Sequence, residues 1–460
     1  MASVAQKSSF FADLSVVLGE RGFRRLYATR LISQTGDGMF TAGLGTYVFF
    51  NATSFPNPVR AAGAFAVLYL PYSLIGPFAG VLIDRWSRRQ ILVWSALIRA
   101  AFVALTAALV ASGNLGVPLY VGVLAVLGVD RFFLSSLSAA LPHVVAGDKL
   151  VMANSVGPTS GTIVGFLGGF TGLGVHWLTG GGRAGSAATL LVAGAGYLLS
   201  AAVGATMSRD MLGPARAEVA ARAGVWRELG AVVSDLAAGA RHVVGRRHAA
   251  AALFATACQR MMYGILFLMS ILLYRNYFYH SNANNALAHF TLVVAASAVG
   301  YGAAAVITPI VSARLSASTL IIIGLAGAGI VSGPLGATFS QVPFLIIAAA
   351  LGVAAQGVAI TATTVIQQQV DDDFRGRVFS FYDMLFNVPF VIGAAVSAVF
   401  MPDDGKSYAL VGVAAGGYVA AALIYALING QSSSAGASSA GASSAGPSVS
   451  PSAAAHRSSS

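Results

Sequence analysis

Charge is scarce in this chain. Only 43 of its 460 residues are charged, 27 basic and 16 acidic, or 9%, against about 25% in an average soluble protein. A soluble protein of this length could not cover itself with so few, which excludes water as its main solvent. Cysteine is almost absent: Cys258 stands alone, which excludes a disulfide framework and a multi-cysteine metal site. The seven histidines show no ligand spacing. There is no Walker loop, dinucleotide fingerprint or nucleophile elbow. No cofactor, no metal and no enzymatic activity are therefore expected. The apolar runs are continuous and do not alternate, which disfavours a β-barrel. The basic residues Arg21, Arg24 and Arg25 precede an apolar run that contains Asp37 and lacks a cleavage site, so the N-terminus does not read as a secretory signal.

What is abundant is apolar sequence. Hydrophobic residues make up 56% of the chain and its mean hydropathy is +0.75. A helical span needs about 20 mostly apolar residues. Twelve such segments are predicted, at 26–50, 61–83, 90–112, 118–140, 152–178, 186–206, 249–275, 287–311, 318–338, 342–366, 378–401 and 407–428. The expected fold class is an all-α membrane protein. Residues 315–370 carry no charge at all, a run too long for one span, with its turn expected at Ser332-Gly333-Pro334-Leu335-Gly336.

The basic residues set an orientation. With the N-terminus inside, 20 of the 27 fall on the cytoplasmic side and four, Arg60, Arg183, Arg275 and Lys406, on the outer side. The net charge of +11 thus reads as a topology signal, with no nucleic-acid partner. Both termini are expected in the cytoplasm and the protein in the cell membrane.

The spans divide six and six. The expected organisation is a cytoplasmic segment 1–25, a bundle 26–206, a linker 207–248, a second bundle 249–428 and a Ser/Ala/Gly-rich tail 429–460 of a composition that favours disorder. Within the linker Val225, Leu229, Val232, Val233, Leu236 and Val243 recur at helical spacing. That pattern fits an amphipathic helix on the membrane surface or a linker helix against the bundle. Asn51-Ala52-Thr53 matches a glycosylation sequon, a pattern common by chance.

Between spans two and three stands Gly80-Val81-Leu82-Ile83-Asp84-Arg85-Trp86-Ser87-Arg88-Arg89. It resembles the signature loop G-x-x-x-D-R-x-G-R-R/K of the major facilitator superfamily through Gly80, Asp84, Arg85, Arg88 and Arg89, with Ser87 in place of the second glycine. Positive-inside anchoring explains the arginines but not Gly80 and Asp84 at this spacing. Asp373-Phe374-Arg375-Gly376-Arg377-Val378-Phe379-Ser380, Met152-Ala153-Asn154-Ser155 and Ser33-Gln34-Thr35-Gly36-Asp37-Gly38 resemble stretches of a bacterial export branch that includes macrolide efflux proteins and the enterobactin exporter. The resemblance covers about 25–430. It implies the major facilitator fold of two six-helix bundles, alternating access, and a signature loop that braces the halves. One stretch departs from it. Antiporters of the family often carry G-P-x-x-G-G in span five, and here Gly165-Phe166-Leu167-Gly168-Gly169-Phe170 stands in that place. Gly157, Gly161, Gly165 and Gly169 remain as a smooth face for close helix packing or for sealing a cavity.

Six charges stand clearly within spans, away from their ends: Asp37, Arg99, Asp130, Arg131, Arg260 and Asp383. Each costs about 2.5–3.5 kcal/mol at mid-bilayer and needs a reason. Arg30, Ser33, Gln34, Asp37 and Thr41 share one stripe of span one, expected to face a wet cavity. There Asp37 is either a proton-coupling carboxylate or a structural one paired with an arginine. Asp130 and Arg131 point about 100° apart on a helix, so Arg131 is expected toward the cavity, with a share in proton coupling, and Asp130 toward Arg99. Arg260, with Tyr263 beside it, sits at mid-depth of span seven, where transporters hold substrate. Three readings stand for it: binding an anionic group, serving as counter-ion to Asp37 across the two halves, or pairing structurally. Gln34, Gln356 and Thr361 are further cavity candidates. Asp383 is assigned to a cytoplasmic gate with Asp84 and Arg88.

The reading is a monomeric secondary transporter whose partners are a small-molecule substrate, protons and the lipid bilayer, exporting an amphipathic molecule against a proton gradient. Uptake of a metabolite by symport or facilitation, and a non-transporting receptor or scaffold, are the alternatives.

Overall fold

The computed structural model describes residues 19–50, 57–67, 86–145, 150–208, 211–213, 225–312 and 314–442. Gly80, Asp84 and Arg85 of the signature loop and the sequon at Asn51 lie outside the described residues. The described chain is helical, with no strand among the described residues. The helices are α1 Arg21–Phe50, α2 at 58–67, α3 Arg88–Ala111, α4 Val117–Ala140, α5 Leu150–Leu178, α6 Gly182–Ala205, α7 Val225–Val244, α8 Arg247–Leu272, α9 Ala283–Ser312, α10 Ala317–Gly336, α11 Gln341–Gln369, α12 Asp372–Phe400 and α13 Tyr408–Ala442.

Ten described helices are long and apolar enough to cross a membrane. The polar stripe that includes Ser33, Gln34 and Asp37 leaves the 30-residue α1 too polar to be one of them. The distribution of side chains confirms which solvent the fold meets. Arg99, Asp130 and Arg275 are buried, while Val299, Ile310, Val399, Phe400 and Leu427 are exposed. A water-soluble protein does the reverse.

The first half packs α1 on α5 and α6, and α3 on α4 and α6. Its core gathers Phe40, Leu44, Tyr47, Leu119, Leu190 and Tyr197. The second half packs α8 on α11, α12 and α13, α9 on α11, and α10 on α11 and α13. Phe49 and Phe50 of α1 and Phe65 of α2 belong to the second half's core cluster, so the halves are joined at that end of the bundle.

Two crossings show why small residues stand where they do. A Cβ on Gly38 would run into the carbonyl oxygen of Gly165, and one on Gly168 into that of Thr35. Helices α1 and α5 therefore touch backbone to backbone. The second half repeats the device between α8 and α12, with Gly264 against the Phe390 carbonyl and Gly393 against that of Met261. The face expected from Gly157, Gly161, Gly165 and Gly169 does two jobs. Gly165 receives Gly38, while Gly157 and Gly161 leave room for the Arg30 and Gln34 side chains.

The turn expected at Ser332–Gly336 is not there. Helix α10 runs through it to Gly336 and the chain reverses at Ala337–Ser340, with Phe339 at φ 44°. Pro334 is tolerated because it sits in the last turn, where the bond it forfeits is one of the last of the helix. Helix α13 continues to Ala442, into the Ser/Ala/Gly-rich segment. Extending an existing helix avoids the cost of a new nucleus. A short π turn, Leu273–Phe278, ends α8 and has no signature in the sequence.

Candidate functional site

A cavity of about 630 Å³ lies between the halves, within the range of small-molecule pockets. Residues of α1, α2, α4 and α5 face residues of α8, α9, α11 and α12 across it. The wall is mostly apolar and rich in aromatics, and among the described residues Asp37, Asp130 and Arg260 are the charged side chains that reach it.

Arg99 organises the first half's wall. It is fully buried on α3, and its Nη1 donates to Asp37 Oδ1 at 2.9 Å and to Asp130 Oδ1 at 2.6 Å. Its Nη2 donates to Ser33 Oγ at 2.6 Å. The guanidinium lies against the rings of Phe133, 4.5 Å from the centroid, and Tyr197, 4.3 Å. Tyr197 of α6 donates its hydroxyl to the same Asp37 oxygen at 2.7 Å. Two carboxylates thus share one guanidinium, and Arg30 lies close enough to Asp130 to act on its charge. Asp130 is nearly buried, whereas 26% of the Asp37 side chain stays accessible. Of the two, Asp37 is the carboxylate better placed to exchange a proton with the cavity.

Beside this group Arg30 Nε donates to Gln34 Oε1 at 3.0 Å, and Gln34 lines the cavity. The expected pairing of Asp130 with Arg99 is present. The expectation for Arg131 changes: Asp130 lies at the cavity and Arg131 does not line it. Residues one position apart cannot share a direction. Arg131 instead lies close enough to Asp383 of α12 to act on its charge, a link between the halves.

The second half contributes Arg260 and Tyr263. Arg260 is 8% exposed. Its Nε donates to the Phe386 carbonyl at 2.7 Å, and its guanidinium lies 4.1 Å from the Phe386 ring centroid and 5.0 Å from that of Phe390. Tyr263 shares a hydrogen bond of 3.3 Å with Ser297. Gln356 and Thr361 do not line this cavity. Thr361 is buried, and its hydroxyl donates to the Gly357 carbonyl in its own helix at 2.8 Å, a local bond that satisfies it without a ligand.

At the end where the signature loop lies, Arg88 and Arg89 serve the backbone. Arg88 Nη1 donates to the Leu212 carbonyl at 3.1 Å and meets His143 at 3.1 Å. Arg89 donates to the Ala205 carbonyl at 2.7 Å, and Arg25 to that of Thr206 at 2.8 Å. Arg25 and Arg89 therefore collect at the C-terminus of α6, where the helix dipole favours positive charge, and Arg88 holds the segment beyond it at Leu212. At the same end of the second half, α7 is held to α12. Arg377 pairs with Asp235 at 3.0 Å, Arg246 with Asp371 at 2.6 Å, and His242 stacks on Phe374 at 4.3 Å. Asp84 of the expected gate lies outside the described residues, and the first-half charge that acts on Asp383 is Arg131. The backbone carbonyl of Asp383 accepts from Asn387 at 3.0 Å.

Tyr197 is the member of the site that sequence reasoning missed. A tyrosine within an apolar helix reads as packing, and its partner lies 160 positions away.

No family model matches the chain. Two curated relatives do: an uncharacterised MFS-type transporter of Mycobacterium bovis and one of Mycobacterium tuberculosis. Each is 37% identical over 407 residues, which is 88% of this chain and 91% of the relative. Among solved structures, a mutant form of the peptide transporter POT superposes with a TM-score of 0.67 at 13% identity, over 90% of this chain and 95% of that one. The nucleoside transporter NupG gives 0.64 at 16% identity, over 89% and 99%. These distant likenesses carry the fold alone.

Proposed function

The chain belongs to the major facilitator superfamily of multi-pass membrane transporters, and from that premise we propose that it exports an amphipathic small molecule in exchange for protons. The observation that carries the coupling is the shared use of Arg99 by Asp37 and Asp130 at the cavity wall. Gaining a proton at Asp37 releases part of the Arg99 guanidinium and weakens the tie between α1 and α3. Losing it restores the tie. A proton load is thereby converted into a change of helix packing beside the substrate.

The halves 26–206 and 249–428, joined by 207–248, rock about the cavity as a monomer, with Arg131 and Asp383 linking them. The basic end faces the cytoplasm, both termini lie inside, and the membrane is the cell membrane. The export direction is supported by the resemblance of the stretches around Asp37, Asn154 and Arg377 to an efflux branch. Uptake of a metabolite is the second reading, favoured by Phe166, which replaces the antiporter motif's proline and stands in the cavity wall near Tyr301, 6.1 Å between ring centroids.

The test begins with a thermal-shift screen of the purified chain against drugs, siderophores and metabolites, since a ligand of the folded state stabilises it by mass action. The stabilising solute is then followed in inverted vesicles energised acid inside. Export by antiport predicts accumulation that a protonophore abolishes. Flux in the opposite sense, or indifferent to the gradient, overturns the proposal. Absence of counterflow in proteoliposomes points to a receptor or scaffold.

A further inference from the structure

The carboxylates of the cavity already have a cation, and its arginine has no carboxylate among the described residues. Asp37 and Asp130 are both held by Arg99. Arg260, on the other half, has no carboxylate within ion-pair distance among the described residues, and its hydrogen bond is to a neutral backbone carbonyl through Nε. Its two terminal nitrogens take no hydrogen bond to the protein among the described residues. The titratable groups that feel its charge are the phenols Tyr301, Tyr382 and Tyr418. A desolvated guanidinium without a counter-ion is costly, and a planar fork of donors suits a carboxylate or phosphate.

We propose that Arg260 recognises an acidic group on the substrate, so that the cavity takes amphipathic organic anions: an aromatic or branched apolar body bearing one anionic head. The aromatic wall supplies the complement to that body. Phe166 faces Tyr301 across the halves, and Phe267 and Phe390 continue the apolar surface around Tyr263. An organic cation finds the opposite: a guanidinium with no carboxylate partner among the described residues on one wall, and carboxylates held by Arg99 and Tyr197 on the other. The binding of the anion also places its charge at the half opposite Asp37, so that the two ligands, proton and anion, occupy separate halves. This inference rests on the transport reading of the same cavity and narrows it to a substrate class.

Three probes with one aromatic body separate the possibilities: 1-naphthylacetate, 1-naphthylacetamide and 1-naphthylethylammonium. Binding to the full-length protein in nanodiscs is measured without any gradient. The acid is expected to bind at least about tenfold more tightly than the amide, the scale of one charge-assisted pair, with the ammonium weakest. Arg260→Gln removes the preference for acid over amide, while Arg260→Lys keeps part of it. The amide, which does not need the charge, reports whether the Arg260→Gln pocket is still folded. Should that variant lose the amide as well, Arg260→Lys decides, because it retains the cation: loss of the acid preference there with amide binding intact overturns the assignment. Equal affinity for acid and amide in the wild type, no measurable binding of either, or tighter binding of the ammonium also overturns it. Because no gradient is applied, the outcome is independent of proton coupling. An acid preference without gradient-driven flux rejects the transport reading alone, and flux without an acid preference rejects the anion site alone.

Discussion

Arg99 and Asp37 meet at 2.9 Å across 62 positions of sequence, the arginine fully buried and the aspartate still partly open to the cavity. The pair ties α1 to α3, and the same Arg99 nitrogen ties both to Asp130 of α4. Three helices of the first half thus depend on one guanidinium.

Replacing that guanidinium leaves two carboxylates without their cation. Arg99→Met is expected to destabilise the protein by about 3–5 kcal/mol, the usual cost of breaking a buried ion pair from one side. Thermal unfolding in detergent reads the loss. The double variant Arg99→Met with Asp37→Asn and the triple variant that adds Asp130→Asn should recover stability stepwise. A single variant as stable as wild type contradicts the arrangement.

Asp37→Asn keeps the size of the side chain and removes its titration. In one-for-one exchange, one pH unit supports about tenfold accumulation. The variant is expected to show none, while counterflow without a gradient persists. Vesicle assays of the screened solute under both conditions measure the difference. Full gradient-driven accumulation by the variant would remove Asp37 from the coupling.

Tyr197→Phe preserves the ring beside Arg99, at 4.3 Å, and deletes the hydrogen bond to Asp37. A bond to a charged group contributes about 1.5–3 kcal/mol. A fall in the unfolding midpoint of corresponding size is expected, smaller than for Arg99→Met. No change would mean that Asp37 does not depend on the phenol.

The crossing of α1 and α5 predicts a contrast between two glycines of one helix. Gly168→Ala drives a methyl group into the Thr35 carbonyl and should cost about 1–3 kcal/mol through overpacking. Gly174, with nothing within 4 Å of its added Cβ, accepts alanine at no cost. Unfolding midpoints of the two variants test it.

The tie between α7 and α12 is half exposed, with Arg377 at 37% and Asp235 at 47%. Asp235→Asn is therefore expected to change stability by less than about 1 kcal/mol. A larger change, read by the same unfolding assay, would show that the pair acts within a wider network.

Apolar run length was enough to locate ten of the twelve expected spans from sequence, because a membrane leaves a helix few other compositions. Asp37, Asp130, Arg99 and Arg260 stood out for the same reason: a charge in such a run is an exception. What they bind was less legible. Asp130 could be matched to Arg99 since both were exceptions, but Tyr197 carries no charge and gave no signal. Arg88 and Arg89 bond to the backbone carbonyls of Leu212 and Ala205, and backbone acceptors leave no trace in residue identity. Thr361 misled in the other direction. A hydroxyl in an apolar helix suggests a cavity contact, yet its own helix satisfies it.

The backbone contacts at Gly38 and Gly168, and at Gly264 and Gly393, separate scaffold from chemistry. At these crossings the spacing of the helix pairs is set by main-chain atoms that every residue type shares, so side chains facing the cavity can be exchanged without moving the pairs apart. Such a frame is permissive in evolution. A new solute then demands only new side chains around crossings that stay as they are.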